Sequence, residues 1–342
     1  MKKMKRILTI FGVLLMLFAL PGFTQAKTVN WKLGYGGLPD DPVDGLLTTF
    51  QEKLEAVSEG KFKVKIEYSA AMGYKVPDAL RYLKQGLGQS AIVLTQYLAR
   101  DEPLFGVLLP NGALLEKDDN DKLFGYMKET LVKIYNKWGL SLKSPTIAAI
   151  TTYWYTFTKE PVTSYDQLKG KKVRHSDKIT IMGLNKIGIP AQFVSASDSY
   201  MALKTGVLDG AITGVLFAFQ DSTYETTKYF SNIGPYSVAY LPGIAVSQKA
   251  WKKLPKEHQE YWNKASKEYL WDAMYNAWKT DVYDNKYKEA LLQKGMKELP
   301  DFSLADRKKL QKAVLEVWLE ECKKIGPEAV DHYNNVVKLI SQ

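Results

Sequence analysis

The chain has 342 residues, 46% of them hydrophobic, with a formal net charge of +10. That length supports two domains with sizeable cores, and the charge, +6 once Lys2, Lys3, Lys5 and Arg6 are set aside, is spread through Lys/Glu-rich stretches without the basic stripe that nucleic-acid binding needs. One cysteine, Cys322, excludes an internal disulfide or a thiolate metal set, and His175, His258 and His332 form no i, i+4 metal pair.

In chain order, "MKKMKR" is a positive leader before the apolar run "ILTIFGVLLMLFALPGF", and "TQA" supplies small residues at cleavage spacing. Residues 1–26 therefore read as a signal peptide cut after Ala26, and the remaining chain as soluble and exported. The alternative is an uncleaved anchor, since about 17 apolar residues sit at the lower limit for spanning. "VNWKLGYG" (29–36) is a first strand ending in glycines, and "GYGG" lacks the continuation of a dinucleotide fingerprint. Residues 43–60 carry apolar side chains at helical spacing up to Gly60; "KFKVKIEYS" (61–69) alternates as a strand with one wet face. A short helix (76–88) and a strand (89–99) complete a β-α-β-α-β order, the signature of a parallel or mixed sheet.

A longer helix follows at 118–139, then strands within 140–162. "LKGKKVRHS" (168–176) places Arg174 where a short strand hands over to a helix at 177–189. A salt bridge, a phosphate site, a catalytic group and a ligand clamp all suit a permanent cation there. Residues 190–215 give strand, helix and strand; the Asp209-Gly210 turn would aim Thr213 at the carboxyl end of a sheet, where open α/β folds bind ligands. Strand character returns at 239–251. Residues 255–295 read as one or two long helices, long enough to span both domains, and further helices close the chain. Cys322 reads as a small half-buried helix residue. Strand alternation turns His175 away from the side that Arg174 faces. No nucleophile–base pair, carboxylate pair or metal set is visible, so no catalytic residue and no cofactor is assigned.

Three segments, "DQLKGKKVR" (166–174), "YMALKTGVLDGAITG" (200–214) and "KAWKKLPKEHQEYW" (249–262), in this order and with "FQEKLEAVSEGKFKVKIEYSAAMG" before them, resemble the solute-binding subunit of tripartite ATP-independent periplasmic (TRAP) transporters, the DctP-type family. The resemblance covers nearly the whole chain beyond residue 26. It implies an α/β fold: two lobes with mixed sheets, hinge strands and a long helix spanning both. The expected divisions are 27–149 plus about 239–278 for lobe I, and 150–238 plus about 279–342 for lobe II. It also implies a periplasmic receptor that closes on an organic acid and passes it to small and large TRAP membrane subunits driven by an ion gradient. Arg174 matches the family arginine that pairs with the solute carboxylate; a structural salt bridge between lobes is the other reading of it.

Several positions depart from the family. Tyr153 falls where a second arginine is usual, Thr213 where an asparagine follows Asp-Gly, and "MGYKVPD", with Lys75, where a glutamate is common. A pocket drawing on Tyr35, Tyr74, Tyr153, Trp154, Phe193 and Phe217, with Lys75 and Gln96 as further polar candidates, would be broad and partly apolar. That favours a monocarboxylate with an apolar or aromatic body over a C4-dicarboxylate. A sulfonate or other oxoanion receptor, a ligand-presenting partner of a membrane sensor, and an exported α/β enzyme are the rival readings.

Overall fold

The computed structural model describes residues 28–36, 42–93, 95–143, 151–235 and 243–342; the segment read as a signal peptide lies outside them. β1 (Val29–Tyr35) and β2 (Phe62–Tyr68) pair in parallel around α1 (Pro42–Val57). β2 buries Phe62, Val64 and Ile66 and leaves Lys63 and Lys65 exposed, as its period of two requires. α2 (Ala79–Gln85) stops at Gly86, whose φ of 78° is left-handed and costs a glycine nothing in sterics. β3 (Ser90–Ile92) lies parallel to β1, and α3 (Asp119–Lys137) leads into β4 (Leu140–Lys143).

The second sheet begins with β5 (Tyr153–Thr158). It continues through α4 (Tyr165–Leu168), β6 (Val173–His175), α5 (Lys178–Lys186), β7 (Ala191–Phe193), α6 (Ala196–Lys204), β8 (Gly210–Thr213), α7 (Val215–Gln220) and β9 (Tyr229–Pro235). The chain then returns to the first sheet, where β10 (Ile244–Ser247) runs antiparallel between β3 and β4. The strand orders are β2-β1-β3-β10-β4 and β11-β9-β5-β8-β6-β7, with β11 at Lys297–Glu298. Parallel and antiparallel pairs occur in both sheets.

The helical run after β10 crosses from the first sheet to the second in two pieces. α8 (Gln248–Lys253) and α9 (Lys256–Ser266) lead through a π-helical segment, Lys267–Asp272, into α10 (Ala273–Lys279). Trp262, Leu270, Met274 and Trp278 on this piece pack into the first-sheet core. The helix then breaks at Thr280–Asp281, where Asp281 takes a φ of 53°. Asp is among the few residues that visit this conformation readily. The Lys117 ammonium, in the turn ahead of α3, holds the break, donating to the Lys279 carbonyl at 3.0 Å and to Asp281 Oδ1 at 2.5 Å. α11 (Val282–Gln293) restarts and buries Leu291 under the second sheet. Of the one or two long helices expected over 255–295, the structure has two, with a pinned corner between them.

α12 (Leu304–Ile325) and α13 (Pro327–Ile340) close the chain. One buried cluster runs from β3, α2 and α3 into β6, α5 and α12. Cys322 lies wholly inside it, where burial pushes its thiol up to about 12, so it stays protonated and inert. His332 is buried beside it, bonded to the Leu108 carbonyl at 2.6 Å and to Tyr126 at 3.0 Å. No helix among the described residues is long and apolar enough to cross a membrane.

Candidate functional site

β6 pairs in parallel with β8, Arg174 opposite Ala211, and with β7, Arg174 opposite Gln192. The carboxyl ends of β7, β6 and β8 therefore lie side by side. Such an edge directs strand-end side chains into one crevice. Here the crevice is a cleft of about 480 Å³, a volume suited to a small organic molecule. Its opposite wall includes Thr95, Tyr97, Phe105, Leu108 and Pro110, from the segment that follows β3.

Arg174 lines the cleft with only 7% of its surface exposed. Its Nε donates to the Val194 carbonyl at 2.9 Å, which ties the guanidinium plane to the end of β7. Next to it, His175 also lines the cleft, although it is buried and was expected on the far side. The strand ends at His175, so strict alternation has no next residue to enforce it. The ring packs edge-on against Trp154 at 5.0 Å, and its Nδ1 accepts the Asp177 N–H at 2.9 Å, which leaves the proton on Nε2. Burial depresses the His175 pKa well below its ordinary value, and the neighbouring Arg174 charge acts the same way, so the ring is neutral at neutral pH.

Asp177 is a structural acid. Oδ1 caps α5 through the Ile179 N–H at 2.9 Å; Oδ2 accepts from Asn111 N at 2.9 Å and from Thr180 Oγ1 at 2.7 Å. It thereby clamps the segment around Asn111 to the second sheet. Trp318 Nε1 holds the same segment through the Val107 carbonyl at 2.8 Å. Lys178, on the rim, is paired with Glu321 at 2.8 Å. Asp221, just past α7, differs from both. It lines the cleft half-buried, and among the described residues its carboxylate accepts no hydrogen bond and joins no ion pair. Burial pushes its pKa up to about 6, against the pull of the Arg174 charge.

The structure brings Arg174, Trp154, Thr213, Phe193 and Phe217 together at the cleft. It does not bring Tyr35, Tyr74, Lys75 or Tyr153 to it. Tyr35 is 4% exposed and belongs to the first-sheet core. Tyr74 stacks on Tyr82 at 4.3 Å, and its hydroxyl lies so close to Gly34 that a Cβ there would clash. Lys75 is exposed before a short helical turn, away from the cleft. Tyr153 lies on the face of β5 opposite Trp154, and its N–H turns to Asp284 at 3.4 Å. Gln96 lies in the turn Thr95–Tyr97, whose flanking residues line the cleft; its side chain is outside the described residues.

A family model for DctP, bacterial extracellular solute-binding protein family 7, matches residues 34–324. The chain belongs to this family. DctP proteins are the solute-binding subunits of TRAP transporters, and they are receptors. The "C4-dicarboxylate-binding periplasmic protein DctP" of Rhodobacter capsulatus is 25% identical over 338 residues, 95% of this chain and 96% of its own. Bordetella pertussis DctP7, solved as an extracytoplasmic solute receptor binding pyroglutamic acid, superposes with a TM-score of 0.71 at 20% identity, covering 91% of this chain and 100% of its own. A TRAP periplasmic solute-binding protein of Sulfitobacter sp. NAS-14.1, with bound β-D-galacturonate, gives the same TM-score at 20% identity over 91% and 99%. The fold of this DctP chain is that two-lobed fold.

Sequence reasoning about the family motifs stopped short of two parts of the cleft. Asp221 sits one turn beyond Phe217 on α7, a spacing that puts both on one helix face and was open to inspection. The apolar wall at Phe105, Leu108 and Pro110 carries no motif. Its position depends on contacts with Trp318 and His332, more than 200 residues along the chain.

Proposed function

We propose that this DctP protein is exported to the periplasm, captures a monocarboxylate with an apolar or aromatic body, and delivers it to TRAP membrane subunits. The observation that carries this reading is the buried Arg174 guanidinium at the meeting point of three strand ends. A guanidinium presents a planar fork of donors that suits a carboxylate, and it keeps its charge at any physiological pH. Water exclusion strengthens the pair, while desolvation of both ions takes part of that gain back, so the walls must supply the rest. They are suited to do so: Trp154, Phe193, Phe217, Phe105 and Leu108 offer apolar area around one cation.

A second carboxylate is poorly provided for. The position where the family commonly places another arginine is Tyr153, on the far face of β5, and the lining lysine, Lys178, is engaged by Glu321. DctP7, described with pyroglutamic acid, and the TRAP solute-binding protein described with galacturonate hold monoacids, which agrees with this reading; the Rhodobacter relative is named for C4-dicarboxylates. Calorimetric titration with matched monoacids and diacids tests it. Branched or aromatic monocarboxylates should bind, and Arg174→Gln should weaken them about a hundredfold. Strong binding of succinate with none by monoacids would reject the monoacid reading, and full binding by Arg174→Gln would reject the clamp.

A further inference from the structure

Of the charged side chains on the cleft wall, Asp177 is spent on capping α5 and on Asn111, and Lys178 is paired with Glu321. Asp221 has no such employment among the described residues. It is fixed at the end of α7 by its own N–H, which donates to the Phe217 carbonyl at 2.8 Å. It shares the cleft with Arg174 closely enough for the two charges to interact. A carboxylate half-removed from water, without a partner among the described residues, stands on the wall of the cleft.

We propose that Asp221 is the second recognition group of this site: the solute meets Arg174 with its carboxylate and Asp221 with an N–H or O–H donor. This rests on the Arg174 reading above and adds to it. A solute with a donor replaces the water that Asp221 loses on closure. One without a donor leaves a desolvated acceptor unpaired, which is the strongest discrimination a polar pocket can exert. A dicarboxylate fares worse still, because its second carboxylate meets a carboxylate. The aromatic walls then hold a body that is apolar except for this one donor, as in a lactam acid or a 2-hydroxy acid.

Matched pairs test this directly. Pyroglutamate and its ring-oxygen analogue, 5-oxotetrahydrofuran-2-carboxylate, differ by one N–H; mandelate and phenylacetate differ by one O–H. In calorimetry at pH 7.5 the donor member of at least one pair should bind the wild-type protein about tenfold more tightly. Asp221→Leu should reduce that ratio to within about threefold, and Asp221→Asn should improve binding of succinate. Arg174→Gln should weaken both members of a pair together. Equal affinities within every pair in the wild type, including absence of binding, overturn the proposal. So does a ratio that survives Asp221→Leu, or a uniform tightening of both members, which would make Asp221 a mere counter-ion of Arg174. If Arg174→Gln leaves binding intact while Asp221→Leu abolishes the ratio, the carboxylate clamp fails and the donor site stands.

Discussion

The carboxyl ends of the two sheets are furnished alike in sequence and used differently in space. At the first, Tyr35 and Tyr68 end the neighbouring parallel strands β1 and β2 and turn their rings edge to face at 6.3 Å. The Tyr68 hydroxyl donates to Asp44, and Tyr35 is sealed into the core. At the second, β7 ends in Phe193, 65% exposed, β6 in Arg174 and His175, and β8 in Thr213, all on the cleft. An aromatic residue at a strand end is thus no sign of a site in itself. What decides is whether the adjacent strand end supplies a partner that fills the space.

The sharpest way to break this contrast is at the sealed side. Trp262 is fully buried against Trp31, Phe50 and Phe62, with ring centroids 5.1–5.9 Å away. Trp262→Ala should lower stability by about 3–5 kcal/mol in urea unfolding. The order of preference among acids should be unchanged wherever the variant is folded. A reordered ligand series would show that the first-sheet core shapes the site after all.

Next in size is the pinned corner between the units. Asp284 on α11 accepts the Thr152 N–H at 2.6 Å and the Tyr153 N–H at 3.4 Å. Burial raises its pKa to about 6 from an ordinary 3.8, with Asp281 adding to the shift and the two backbone donors opposing it. The folded state therefore binds this proton more tightly than the unfolded state. The stability contribution is complete below about pH 4 and is lost as pH rises through about 6. Asp284→Asn should remove up to about 2–3 kcal/mol of that pH dependence, seen as a flatter denaturation midpoint between pH 4 and 6. An unchanged slope would show that the corner does not sense this group.

The open side gives a smaller effect. Phe193→Ala should weaken a bound aromatic monoacid about three- to tenfold through lost apolar contact, with the thermal midpoint of the ligand-free protein nearly unmoved. Tyr35→Phe is the control, and it should change affinity less than twofold, since Tyr35 does not line the cleft. If Tyr35→Phe and Phe193→Ala exchanged these outcomes, the two strand ends would have been read the wrong way round.

Much of this was legible in the chain. Alternation in 61–69 and helical spacing in 43–60 set β2 and α1, while the helix expected over 76–88 is shorter, Ala79–Gln85, because Gly86 takes a left-handed φ and stops it. The Lys-Lys-Val-Arg segment set the place of Arg174 because a short strand flanked by a turn and a helix leaves its end at the sheet edge. The aromatic candidates split because periodicity says which residues share a face and not which face is covered: Trp154 and Tyr153 are neighbours in sequence, and only Trp154 meets the cleft. The place of the corner within 255–295 was not legible, since Asp281 carries no Gly or Pro warning and the break depends on Lys117, from the distant turn ahead of α3.

By itself, then, the sequence determined the kinds of element, the family, and the cation at the end of β6, because these follow from local spacing and short motifs. Tertiary structure alone decided that Tyr35 and Tyr74 are packing residues, that His175 is a neutral wall, and that Asp221 faces the same cleft as Arg174. The physical reason is desolvation: which groups lose water, and which find a partner when they do, is set by segments far apart in the chain.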